Sequence, residues 1–158
     1  MSAPGALPNV AQLLGPLLQR VPAPQRPLLL AIAERQSAQR YRGWAELAGS
    51  PEERGRFLAC AEREEEIAGR IEGLVSDAAS QQRAILEANP DLPELNRAVF
   101  EGRPLAQQLA IQAAGERAGA ALWRSFAKAA GDEAAREVYL ACARLEEESA
   151  VFLESLAS

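Results

Sequence analysis

Along most of this chain, apolar and small residues recur every three or four positions, the period of a helix face. From about Pro27 to Ala48 the stripe is Leu30, Ala31, Ala38, Tyr41, Ala45 and Ala48. Gly49 ends that segment. Ser50-Pro51-Glu52-Glu53 opens the next, with an N-cap serine, proline at the first helical position and glutamate at the third. This second stripe runs to about Val75 through Phe57, Cys60, Ala61, Ile67, Ala68, Ile71 and Leu74. A third helix is predicted from about Pro104 to Ala130 with Gly131 closing it, and a fourth from the cap Asp132 to about Leu156. Between the pairs, Ser76 to Arg103 reads as partly helical (Gln81 to Ala88), then as the break Asn89-Pro90-Asp91-Leu92-Pro93, a short helix and Gly102. Ahead of everything lies an amphipathic segment, Asn9 to Arg20, with Leu13, Leu14, Leu17 and Leu18 on one face and Pro16 inside it. Pro22, Pro24 and Pro27 then break the chain, and Pro27 suits the first turn of the helix that follows.

The two long pairs are copies of each other at a constant offset of 82 residues. Phe57-Leu-Ala-Cys60-Ala-Glu-Arg-Glu64-Glu-Glu-Ile67-Ala lies over Tyr139-Leu-Ala-Cys142-Ala-Arg-Leu-Glu146-Glu-Glu-Ser149-Ala. Upstream, Ala31, Glu34, Arg35, Ala38, Arg42 and Ala45 match Ala113, Glu116, Arg117, Ala120, Arg124 and Ala127. About 20 of the 46 pairs from Ala31/Ala113 to Ser76/Ser158 are identical, against roughly one in ten by chance for ordinary composition. The fold is therefore expected to be a duplicated unit.

A helix of about 25 residues spans about 37 Å, and the intervening segment is long enough to traverse that length. Two helix hairpins joined by a long crossover are predicted, an all-α four-helix bundle with an added N-terminal helix. An up-down bundle with a decorated loop is the alternative. The expected boundaries are 1–26 for the N-terminal extension and 27–158 for the bundle. Within the bundle, the repeats cover about 31–76 and 113–158, and the crossover covers 77–103.

The 158 residues carry a net charge of −5 with Arg and Glu interspersed. No basic face marks a nucleic-acid binder. No apolar run approaches the 18 or more residues of a membrane span, and Met1-Ser-Ala-Pro-Gly5 lacks the basic-then-apolar layout of a signal peptide. A soluble, cytoplasmic protein is expected. There is no histidine, which removes the commonest general base and the commonest metal imidazole. No nucleophile–base pair stands out, so hydrolytic chemistry has no support. Cys60 and Cys142 occupy matching repeat positions. They read as small packed hydrophobes or as soft ligands, and the antiparallel second helices would hold them too far apart for a disulfide.

Four glutamates break the apolar stripes. Glu34 and Glu116 lie on the stripes of the first helices, Glu64 and Glu146 on those of the second, and the separation of 30 is the same in both copies. Glu65, Glu66, Glu147 and Glu148 turn away toward water. Burying one unpaired carboxylate costs several kcal/mol, and four converging ones also repel. The repeated arginines Arg35/Arg117 and Arg42/Arg124 stand about 80 to 100° off these stripes. Either the four carboxylates reach water or arginine, or they need protons or a cation.

This arrangement resembles the ferritin-like superfamily, and within it the rubrerythrin-type bacterial ferritin-like proteins, over about residues 27 to 157. In that family each half-bundle supplies a Glu from its first helix and a Glu-x-x-His from its second, which together hold two iron or manganese ions. Glu34 and Glu116 match the first ligands, and Glu64 and Glu146 match the Glu of Glu-x-x-His. Tyr41, and Trp123 in the other copy, match an aromatic residue common near the ligands. Both histidine positions are changed, to Ile67 and Ser149. The resemblance implies a ferritin-like four-helix bundle binding one or two Fe or Mn ions through Glu34, Glu64, Glu116 and Glu146. Iron oxidation or sequestration, or oxygen or peroxide chemistry, would be its work. The loss of both imidazoles implies the alternative, a metal-free degenerate member acting as a structural or interaction module. A third reading has a small ligand in a channel left by Ile67 and Ser149. A homo-oligomer is expected, with no nucleic acid or membrane partner. The N-terminal helix is expected to dock on its own bundle, on a second subunit or on a protein partner.

Overall fold

The computed structural model describes residues 6–157. Met1–Gly5, read above against a signal-peptide layout, and Ser158, which closes the second repeat, lie outside the described residues. Those described form seven α-helices and no strand. They are α1 (Val10–Leu18), α2 (Arg26–Leu47), α3 (Pro51–Glu72), α4 (Ala78–Ala88), α5 (Leu92–Phe100), α6 (Leu105–Ala129) and α7 (Glu133–Ser155), with a 3-10 turn at Ala23–Gln25 before α2.

Local chemistry sets the helix ends. Ser50 Oγ accepts a hydrogen bond from the Glu53 amide at 3.1 Å while Glu53 Oε2 accepts from the Gly49 amide at 2.8 Å, a reciprocal capping arrangement. Asp132 Oδ1 accepts from the Ala135 amide at 2.8 Å, and Asn9 Oδ1 does the same for Gln12 at 3.2 Å. Pro16 sits inside α1 without ending it. Two boundaries differ from the sequence expectation. α3 stops at Glu72, where Gly73 closes it and the amides of Leu74 and Val75 bond three residues back in a tighter turn. α4 begins three residues earlier than predicted, at Ala78.

Side-chain pairs give the direction of each helix. Arg35 with Glu72 and Arg42 with Glu65 run α2 against α3. Arg117 with Glu154 and Arg124 with Glu147 run α6 against α7. Across the seam between hairpins, Phe57 with Phe152 and Arg63 with Ser149 make α3 and α7 antiparallel. Trp44 with Gln108 and Tyr41 with Glu116 do the same for α2 and α6. α3 and α6 must then point the same way, so the chain between them traverses the length of the bundle. α4 lies near the start of α2, where Gln82 donates to the Leu28 carbonyl. α5 lies further along α2, where Asn96 accepts from Arg40 and Phe100 meets Trp44.

α1 docks on its own chain: Leu18 is buried, Leu14 and Leu17 pack against the core, and α1 touches α6. Arg20 pairs with Asp91 at 2.8 Å, tying the end of α1 to the residue before α5. The apolar interior divides into two clusters. One contains Leu30, Ala31, Ile67, Ile71, Ala120, Trp123 and Cys142; the other contains Tyr41, Trp44, Phe57, Cys60 and Phe152. A layer of carboxylates separates them. Among the described residues, no helix is long and apolar enough to cross a membrane.

Candidate metal centre

Each glutamate on a helix stripe is delivered inward by its helix, one turn from small residues that leave room for it. Glu64 and Glu116 are 1% exposed, Glu146 2% and Glu34 8%. Glu34, Glu64 and Glu146 each place one carboxylate oxygen within 4.8 Å of the others. The structure thus gathers three of the four predicted residues into one tight group. Glu116 is buried beside them and acts electrostatically on all three.

Neutral donors meet part of this charge. Tyr41 donates its hydroxyl to Glu116 Oε1 at 2.5 Å, and Gln112 Nε2 donates to the same oxygen at 2.7 Å. The Trp123 indole N–H donates to Glu146 Oε1 at 2.9 Å. With every carboxyl ionised, both oxygens of Glu64 and Oε2 of Glu116 have no donor at all. A proton shared between carboxyls, as between Glu34 and Glu64 or Glu34 and Glu146, would supply one. Buried unpartnered oxygens on an anion are strongly unfavourable, so the layer calls for protons or a cation.

The titration of the group expresses the same demand. Burial, with the Glu116 charge adding to it, raises Glu34 to about 7 from its ordinary 4.5. Burial, reinforced by the neighbouring carboxylates, holds Glu64 and Glu146 well above the usual range. The nearest cation is Arg40, which burial lowers to about 10. Its guanidinium is spent on Ser37, Asn96 and Gln112, and it lies 3.9 Å over the Phe100 ring. Arg35, Arg42, Arg117 and Arg124 pair with Glu72, Glu65, Glu154 and Glu147 on the outside, as their angular offset predicts.

Around Ile67 and Ser149 the core is closed. Ile67 and Ser149 are fully buried, and the Ser149 hydroxyl accepts from Arg63 Nε at 3.0 Å. The third reading, a ligand channel at Ile67 and Ser149, is removed because packing fills that space. Cys60 and Cys142 are free, buried thiols. Burial raises both, Cys142 to about 12, so they stay protonated and poor as metal ligands or nucleophiles.

Sequence reasoning found the four glutamates through the repeat but missed Gln112, Arg40 and Gly119. A Cβ on Gly119 would lie 2.5 Å from Glu146 Oε1, so the glycine makes the space that carboxylate occupies. The matching residues in the first copy for Gln112 and Gly119 are Leu30 and Ser37, and for Arg40 the second copy has Leu122. A search for repeated residues had nothing to detect. Tyr41 and Trp123 did carry a signal, as the aromatic seven residues after each first-helix Glu. No family model matches the chain, and it matches neither a curated protein nor a solved structure.

Proposed function

We propose that this protein is a ferritin-like carboxylate bundle, built from two duplicated hairpins, that holds iron or manganese. Glu34, Glu64 and Glu146 would hold the ion, with Glu116 beside them for a second. The observation that carries this reading is the buried trio, in which both oxygens of Glu64 have no donor. An all-oxygen carboxylate set suits hard divalent cations such as Mn and Fe. A bound ion of this kind would supply one-electron chemistry toward oxygen or peroxide, or an oxidation site for iron as substrate. The chain's own residues contribute the rest. Trp123 and Tyr41 orient Glu146 and Glu116, Gly119 leaves room for one carboxylate, and the two apolar clusters exclude bulk water.

Titration with Fe(II) or Mn(II) under anaerobic conditions should show stoichiometric binding and a raised melting temperature. Elemental mass spectrometry of protein grown with both metals and purified without chelator should give one to two equivalents, lost in Glu64→Ala. Less than about a tenth of an equivalent would overturn the reading.

One observation favours a second reading, a metal-free family relative with a structural role. Ser149 and Ile67 fill the two positions where nitrogen ligands would sit, and Ser149 is already bonded to Arg63. In that case protons shared among the four carboxyls do the work of the ion. Glu64→Ala would then leave stability in metal-free buffer intact or higher.

A further inference from the structure

Between α2 and α6, beneath α1 and α5, lies a cavity of about 160 Å³ that ends at the carboxylate layer. Its existence follows from residue size. Ala33 on α2 and Gly115 and Gly119 on α6 present almost no side chain to the space, while Leu14, Leu17 and Phe100 cover it in part. A Cβ added to Gly115 would meet nothing nearer than Val10 Cγ1 at 3.9 Å, so the space extends up to α1 itself. An apolar cavity of about 150 Å³ is enough to take up benzene.

The inner end is chemically one-sided. Glu34, Glu116 and Glu146 line it. The donors nearby are already committed: Arg40 to Ser37, Asn96 and Gln112, and the Gln112 amide to Ser37 and Glu116. What the inner end offers is acceptor oxygens, and Glu116 Oε2 is buried with no partner. An anion is excluded by these carboxylates, and a full charge would be stripped of water by the apolar walls.

We propose that this cavity is a binding site for a small neutral molecule with an apolar body the size of one aromatic ring and a single hydrogen-bond-donating head, as in a simple phenol. The head rests on the carboxylate layer and the ring lies against Leu14, Leu17 and Phe100. The binding itself requires no metal and stands apart from the metal reading.

The test uses the full chain after chelator treatment, so the outcome is independent of whether the protein holds iron. Binding of 4-methylphenol, toluene and 4-methylbenzoate is measured by calorimetry and by ligand-detected NMR. The expected order is 4-methylphenol about tenfold tighter than toluene, the increment of one hydrogen bond to a buried oxygen that otherwise has no partner, with no binding of 4-methylbenzoate. Contacts from the 4-methylphenol ring should appear to the methyl groups of Leu14 and Leu17. Gly115→Leu, which fills the space from a helical position without a backbone clash, should abolish binding. Gly43→Leu, where a Cβ meets nothing within 4 Å, should leave it unchanged. Absence of binding by 4-methylphenol at millimolar concentration overturns the assignment of the cavity. Equal binding of all three probes overturns the assignment of its polar end. Should Gly115→Leu fail to fold, the contacts to Leu14 and Leu17 in the unmodified protein decide the matter, and their absence overturns the site.

Discussion

The two halves of the molecule agree on the outside and disagree on the inside. Arg42 with Glu65 in the first hairpin is repeated by Arg124 with Glu147 in the second, and Arg35 with Glu72 by Arg117 with Glu154. Both hairpins turn through a glycine and restart on a capped helix. The interior donors are not copied. In the second half, Trp123 bonds Glu146 of its own hairpin. In the first half the matching residue is Tyr41, whose hydroxyl crosses to Glu116 of the other hairpin and leaves Glu64 with no neutral donor. Duplicated surfaces need only reproduce local pairs. A shared interior must be solved once for both copies, and here the solution concentrates the unmet charge on Glu64.

The largest effect that sharpens this contrast is the response to pH. A carboxyl that binds its proton more tightly folded than unfolded stabilises the fold fully below its unfolded value, and the benefit is lost as pH rises through the folded one. For Glu34 that window runs from 4.5 to about 7, worth about 3 kcal/mol at 1.36 kcal/mol per pH unit. Glu64 and Glu146 extend it upward. Urea unfolding in chelator should therefore show lower stability at pH 8 than at pH 5, and a flat or rising profile would remove the case for a protonated layer. Next comes Trp123→Phe, which strips Glu146 of its donor in a fully buried position and should cost about 2 to 3 kcal/mol. Tyr41→Phe should cost about 1 kcal/mol, because Gln112 still serves the same oxygen of Glu116. Equal losses by chemical denaturation would erase the interior asymmetry.

Glu64→Gln in metal-free buffer at pH 8 should raise stability by about 1 to 2 kcal/mol by removing a carboxyl that is either ionised without a donor or protonated well above its ordinary range. Glu146→Gln should gain less, since Trp123 already serves it. Calorimetry showing the reverse order would mean that the burden lies elsewhere. The smallest effects probe the outer agreement. Arg42→Ala and Arg124→Ala should each lose under about 1 kcal/mol and match each other, as half-exposed pairs do.

What could be read from the sequence was whatever is local or repeated. Ser50 and Asp132 announce their helices through bonds three residues away, and the stripes place Glu34, Glu64, Glu116 and Glu146 inward before any packing is known. Helix length alone argued for a connection able to traverse the bundle, and the ion pairs within hairpins together with the contacts across the seam show α3 and α6 running parallel as that requires. Apart from Tyr41 and Trp123, the residues that shape the carboxylate layer were hidden for a physical reason. Their placement depends on how far each helix is rotated toward the other hairpin, and they are single residues such as Gln112, Arg40 and Gly119 that the other copy does not share. The division of four glutamates into a close trio and a flanking Glu116 has the same origin, because Tyr41 and Gln112 hold Glu116 in place.

The placement of the carboxylates also bears on how the chain comes to fold. Partners within a hairpin are near in sequence, Arg35 and Glu72 being 37 residues apart, whereas seam partners such as Arg63 and Ser149 are 86 apart. Loop closure favours the hairpins first and their union later. Repulsion among Glu34, Glu64, Glu116 and Glu146 reaches its full extent only on that union, because each hairpin alone carries only two of them. The demand for protons or a cation is therefore greatest at the last step of assembly, when the two carboxylate pairs meet.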